Sequence, residues 1–185
     1  MLIKAWETFA KSKEGIAFIS NFAEKGQVIA GVKYTESGKF DKNNHDLNFG
    51  LETQGADAQT DTHAKKGGGM ETTLLISKTG TKEDMTMTDI GHEAFVHAES
   101  DGEDYLDDKK LNLSNLDKDV VKHTDYDIKN GYPAGYRTSS AQHYQEKKNQ
   151  TLNKRLLPML KQLYKTQGVK KDEKETKKMI NGYTQ

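Results

Sequence analysis

The chain has 185 residues, of which 33% are AVILMFWYC and 30% are charged; 28 basic and 28 acidic side chains cancel, and there is no cysteine. That length suits one domain, 1–185, with a modest core and a very polar surface. Disulfides, thiolate metal sites and cysteine nucleophiles are excluded. No apolar run reaches the length of a signal peptide or a membrane span, so the expectation is a soluble protein, or a soluble fragment carried within a longer polypeptide.

The chain begins with helical spacing. Trp6, Phe9 and Ala10 share one face, and Ser12 is placed to cap a second helix whose stripe is Ile16, Ile19, Phe22 and Ala23. Gly26 sits where a helix ends in a left-handed residue. The period then changes to two: Val28, Ala30, Val32 and Tyr34 alternate with other residues, as do Leu47, Phe49 and Leu51 beyond the turn-forming Glu36-Ser37-Gly38. These segments predict two strands, an antiparallel pair with a long connection. Residues 53–70, rich in Gly, Ala and Thr, predict a mobile loop, and Thr72–Ser77 a further strand.

Thr86 or Thr88 could cap a helix starting near Asp89, with Ile90, Ala94 and Ala98 as its seam. Residues 99–130 are acidic and mixed, and 131–136 form a Gly/Pro/Tyr loop. A long helix should start near residues 139–142 and run to Gly168, with Pro158 kinking or restarting it. Residues 170–185 read as a weak helix or a frayed tail. The order gives an α+β class: N-terminal helices, a small antiparallel sheet, a short His-bearing helix and a long C-terminal helix.

That short helix carries His92-Glu93-Ala94-Phe95-Val96-His97. Zinc is held by neutral imidazole nitrogens, and a neighbouring Glu can take a proton from water that the metal activates. The spacing is one residue longer than H-E-x-x-H. In a regular α-helix, residues five apart point about 140° apart, too far for one ion, whereas an inserted residue in a π-bulge would bring them together. Joint metal binding therefore requires a bulged helix; in a regular one the two histidines are unrelated.

A tetrahedral catalytic zinc would need a third protein ligand. His123 is the first candidate, because imidazole suits zinc and a nearby carboxylate could fix its tautomer. Asp101, His143, Asp125 and Asp127 are the others. Glu93 is the candidate general base, and Tyr132 or Tyr136 could stabilise an oxyanion.

The H-E-x-x-x-H spacing is similar to that of the dipeptidyl-peptidase III type of zinc peptidase, whose usual Gly before the second His is Val96 here. More widely, Lys13–Ile29 and Ile90–Ala98 resemble the C-terminal effector domain of a bacterial RHS/YD-repeat polymorphic toxin. Such domains can carry a similar His-Glu…Phe-[Ile/Val]-His segment followed by a His/Asp region, which would be His123 to Asp127. The resemblance implies a toxin released from a carrier RHS polypeptide and delivered into a competitor cell. It would act there on a protein or peptide substrate, and a cognate immunity protein would neutralise it at home. Together these readings give an expected zinc-dependent hydrolase, a metallopeptidase first.

Two alternatives stand beside it. Residues 99–127 hold ten acids and four lysines, net −6, while residues 147–178 hold eleven basic and three acidic side chains, net +8. The basic stretch could track phosphates in a metal-dependent nuclease, although it has few arginines and only Tyr164 among them, which disfavours nucleic acid. The second is a non-catalytic binding domain. Residues 101–108 are acidic enough for calcium but lack the ligand order of an EF-hand. No Gly-x-Ser-x-Gly occurs, which sets aside a serine hydrolase.

Overall fold

The structure is a computed structural model that describes residues 2–53, 55, 57–77, 82–110 and 141–182. Helices α1 (Leu2–Lys11) and α2 (Lys13–Ile19) open the chain. Ser12 caps α2 as its position predicts: its Oγ accepts from the Gly15 N–H at 3.0 Å. The helix ends earlier than the stripe suggests, with Phe22 and Ala23 buried just beyond it.

The predicted strand from Val28 to Tyr34 is instead a tight hairpin, β1 (Val28–Ile29) against β2 (Val32–Lys33). Ala30 and Gly31 form its turn with φ of 49° and 82°. Positive φ at both central residues is what a twisted two-residue hairpin turn demands. A 3₁₀ turn, Asp41–Asn43, leads to β3 (Asp46–Glu52), β4 (Ala58–Ala64) and β5 (Met70–Ser77).

The second sheet has the order β3-β5-β4, with β3 parallel and β4 antiparallel to β5. The sheet is thus mixed, and β3 pairs with β5 rather than with the Val28–Tyr34 segment. The loop expected over 53–70 contains β4. Its sequence hides it because the inward positions Thr60 and Thr62 are polar: both bond buried or nearly buried carboxylates instead of entering an apolar core.

Helix α3 (Glu83–His92) starts six residues before the expected Asp89, with Glu83 and Asp84 in its first turn, where the helix dipole favours acids. A π-helical segment, Glu93–Ala98, continues it into α4 (Glu99–Lys110). Helix α5 (Ala141–Thr166) runs through Pro158 without restarting, and α6 (Glu173–Gly182) occupies most of the predicted tail. That last helix docks through Thr176 and Ile180, both fully buried. The loop expected at 131–136 lies outside the described residues. The overall class is α+β, and no described helix is long and apolar enough to cross a membrane.

One buried cluster draws on Ala5 and Phe9 of α1, Phe18 of α2, Leu74 and Ile76 of β5, Ile90 of α3, Phe95 of the π segment, Leu156 and Leu160 of α5, and Ile180 of α6. Phe95 lies at its aromatic centre, 5.7 Å from Phe9 and 6.0 Å from Phe18 between ring centroids. Each such side chain contributes about 1.5–3 kcal/mol on burial. The cluster seats the π segment between the α1–α2 pair on one side and β4 and α5 on the others.

Gly91 makes that seat possible. A Cβ there would stand 2.7 Å from Leu156 Cδ1 and 3.5 Å from Phe95 Cε2. Gly91→Ala should therefore lower stability by about 1–3 kcal/mol, the usual result of overpacking, despite alanine's better helix propensity. Urea denaturation checks this; an unchanged or raised midpoint would show that α5 gives way without loss.

Candidate metal centre

The α3–α4 stretch meets the geometric demand of the H-E-x-x-x-H spacing. Within Glu93–Ala98 the backbone bonds run i→i+5, and the Glu99 N–H donates to the Ala94 carbonyl in that pattern. A π turn takes one residue more than an α turn, so residues five apart come to stand nearly as residues four apart do in an α-helix. His92 Nε2 and His97 Nε2 are 3.1 Å apart, with ring centroids 5.0 Å apart. One ligand atom from each of His92, Glu93 and His97 lies within 4.8 Å of the other two.

This separation fits a metal. Two ligands at about 2.0–2.1 Å from a tetrahedral zinc stand roughly 3.3 Å from each other, close to the observed spacing. Both imidazoles are half-buried and Glu93 is buried.

Thr60 of β4 positions Glu93. Its Oγ1 donates to Glu93 Oε2 at 2.6 Å and lies 3.3 Å from the Glu93 carbonyl oxygen. Two residues on, Thr62 Oγ1 donates to Asp101 Oδ2 at 2.9 Å, and Asp101 is buried. Two threonines with the same facing thus hold two carboxylates of one helix, with His97 between them in sequence. From the other side, Arg155 pairs with Glu99 and places its guanidinium 3.8 Å from the Phe95 ring centroid. That combination of ion pair and cation–π contact ties the π segment to α5.

Asp89 was not legible as a site residue. It lies one helical turn before Glu93, is buried, and has its pKa raised to about 7. Burial is the largest cause, followed by repulsion from Asp57 and Glu93. The helix thus carries, next to its candidate base, a carboxyl pushed toward its neutral form. Only the early start of α3 places Asp89 inside a helix and on the Glu93 face.

Of the candidate third ligands, Asp101 is not among the three residues brought together, and its carboxylate is engaged by Thr62. His123, Asp125 and Asp127 lie outside the described residues, as do Tyr132 and Tyr136. His143 falls in the first turn of α5, and its side chain is outside the described set. Among the described residues no other group of three metal-ligating side chains forms. No protein-family model, curated protein or solved structure matches the chain.

Asp89 yields a test of the electrostatics. A carboxyl whose folded pKa is raised contributes stability that is complete below its unfolded value and is lost as pH rises through the folded one. Here the loss runs from about pH 4 to about pH 7. Asp89→Asn should therefore match wild type near pH 4 and be the more stable protein at pH 8, by up to about 4 kcal/mol. Thermal denaturation across that range measures it, and a gain that does not grow with pH would refute the assignment.

Proposed function

We propose that this chain is a zinc-dependent hydrolase whose metal is held by His92 and His97 and whose general base is Glu93. The observation that carries the reading is the π segment, which turns an otherwise ineffective i, i+5 spacing into a converging pair of imidazoles. Such segments are rare and are frequently found at functional sites, because the wider turn is less favourable than the α turn it replaces.

When bound, zinc supplies a Lewis acid that polarises a carbonyl and makes water acidic enough to be deprotonated near neutrality. The chain's own residues do the rest. The Nε2 atoms of His92 and His97 would hold the ion. Glu93, fixed by the Thr60 hydroxyl, would take the proton from the attacking water and pass it to the leaving amine. A third ligand would come from His123, Asp125, Asp127 or His143, with Asp101 as the remaining candidate.

A peptide bond is the favoured substrate, since acid–base catalysis by one glutamate beside a single metal suits amide hydrolysis. The resemblance to RHS/YD-repeat effector domains extends the proposal. The domain would be delivered into a target cell from a carrier polypeptide, would act there on a protein, and would be held in check by a cognate immunity protein. The nuclease alternative loses ground because its basic stretch is partly consumed. Arg155 pairs with Glu99 and Lys171 with Asp84, both acids outside that stretch.

Metal content of purified protein tests the reading, measured by mass spectrometry after zinc loading. Wild type should hold about one zinc per chain, the stoichiometry of a single tetrahedral site. His97→Ala should lose it. Glu93→Gln should keep it while proteolysis of a target-cell extract falls by about 10²–10⁴-fold, the range for removal of a general base. No zinc uptake by wild type, or full activity in Glu93→Gln, would end the proposal.

A further inference from the structure

A groove of about 280 Å³ lies between α1, α2, the β1–β2 hairpin and β3. Asp46, Leu47, Asn48 and Phe49 of β3 all line it. Consecutive strand residues point to opposite faces, so a wall that uses four in a row is the strand's edge and not one of its faces. Among the described residues β3 pairs with β5 alone, and this other edge meets no described strand.

The edge is guarded by charge only at its two ends, Asp46 and Glu52. Asp46–Glu52 contains neither lysine nor proline, the residues that commonly discourage pairing at a sheet edge. It also displays apolar surface: Phe49 and Leu51, on the same face, are 41% and 42% exposed. Phe22, Gln27 and Ile29 also line the groove. The groove is slightly smaller than the roughly 300–1,000 Å³ typical of small-molecule sites, and a strand edge along its length suits an extended chain.

Charge specifies the occupant. Glu24, Asp41 and Asp46 line the groove, and no lysine or arginine does. Lys65 pairs with Asp46 at 2.7 Å, while Glu24 and Asp41, which also line the groove, form no ion pair among the described residues. We propose that this groove takes an extended, basic segment of a partner protein as an added strand on the outer edge of β3. Main-chain bonds to β3 would supply affinity. Alternate apolar side chains would cover Phe49 and Leu51, and lysine or arginine would meet Glu24 and Asp41. The inference is independent of the metal reading.

The probe is an acetylated hexapeptide alternating lysine and valine, titrated into the full ¹⁵N-labelled chain by NMR. Two control peptides accompany it, one with glutamate for lysine and one N-methylated at alternate amides. Saturable shifts should appear in the amides of residues 46–52 and 27–29, and both controls should bind at least about tenfold more weakly. The surface variant Glu24→Lys/Asp41→Lys, which touches no core position, should weaken the lysine peptide by about tenfold or more. The proposal is overturned if binding does not saturate, if the glutamate or N-methylated peptide binds equally well, or if the shifts fall elsewhere. It is equally overturned if the β3 amides shift with protein concentration alone, since the occupant would then be a second copy of this chain.

Discussion

The wide turn at Glu93–Ala98 is the constraint on which the rest of the site depends. An i→i+5 turn gives up good α geometry and survives only where its surroundings hold it. Those surroundings can be named. Phe95 is locked into the aromatic centre of the core, Ala94 and Ala98 are fully buried, and Gly91 lets Leu156 of α5 press close just before the turn begins. Thr60 bonds the first residue of the segment, and Arg155 bonds Glu99 directly after its last. Contacts on three sides therefore fix a backbone that an isolated helix of this sequence would relax to α.

The same arrangement explains why β4 looks so unlike a strand. A sheet covered by an apolar helix face shows alternating apolar residues, but β4 is covered by a helix that presents Glu93 and Asp101. Its inward positions are accordingly threonines, β-branched enough for a strand and able to donate to a carboxylate. A buried carboxylate without a donor would be strongly destabilising, so these two hydrogen bonds are a condition of burying the acids at all. The polar face of β4 and the acidic face of the helix are one feature seen from two elements.

Legibility in the sequence follows the same line. Elements built on apolar periodicity were readable: the Ser12 cap, the strand over Thr72–Ser77, the long helix through Leu152, Leu156 and Leu160. The need for a π-bulge was also readable, since the angle between residues five apart excludes any other convergence. What escaped were features whose signal is polar or tertiary. β4 carries threonines where valines would announce a strand, and the hairpin at Ala30-Gly31 depends on one alanine adopting positive φ. The start of α3 at Glu83 is set by contacts far away in sequence, from Tyr164 and Lys171 to Asp84. Asp89 was invisible as a site residue for the same reason.

Asp89 also bears on why the helix would be shaped this way. Burial penalises the Asp89 charge, and Asp57 and Glu93 add repulsion against it. Stability alone would select an asparagine or an apolar residue at position 89, so the acid is a destabilising choice at neutral pH. A wide π turn, two imidazoles brought to 3.1 Å and a buried carboxyl held against its charge therefore occur within ten residues of one helical stretch. The wide turn and the buried acid each cost stability, and features of this kind are frequently found at functional sites. A divalent cation at the proposed site would offset both costs. It would bond both imidazoles and offset the repulsion between Asp89 and Glu93 with attraction to a common charge.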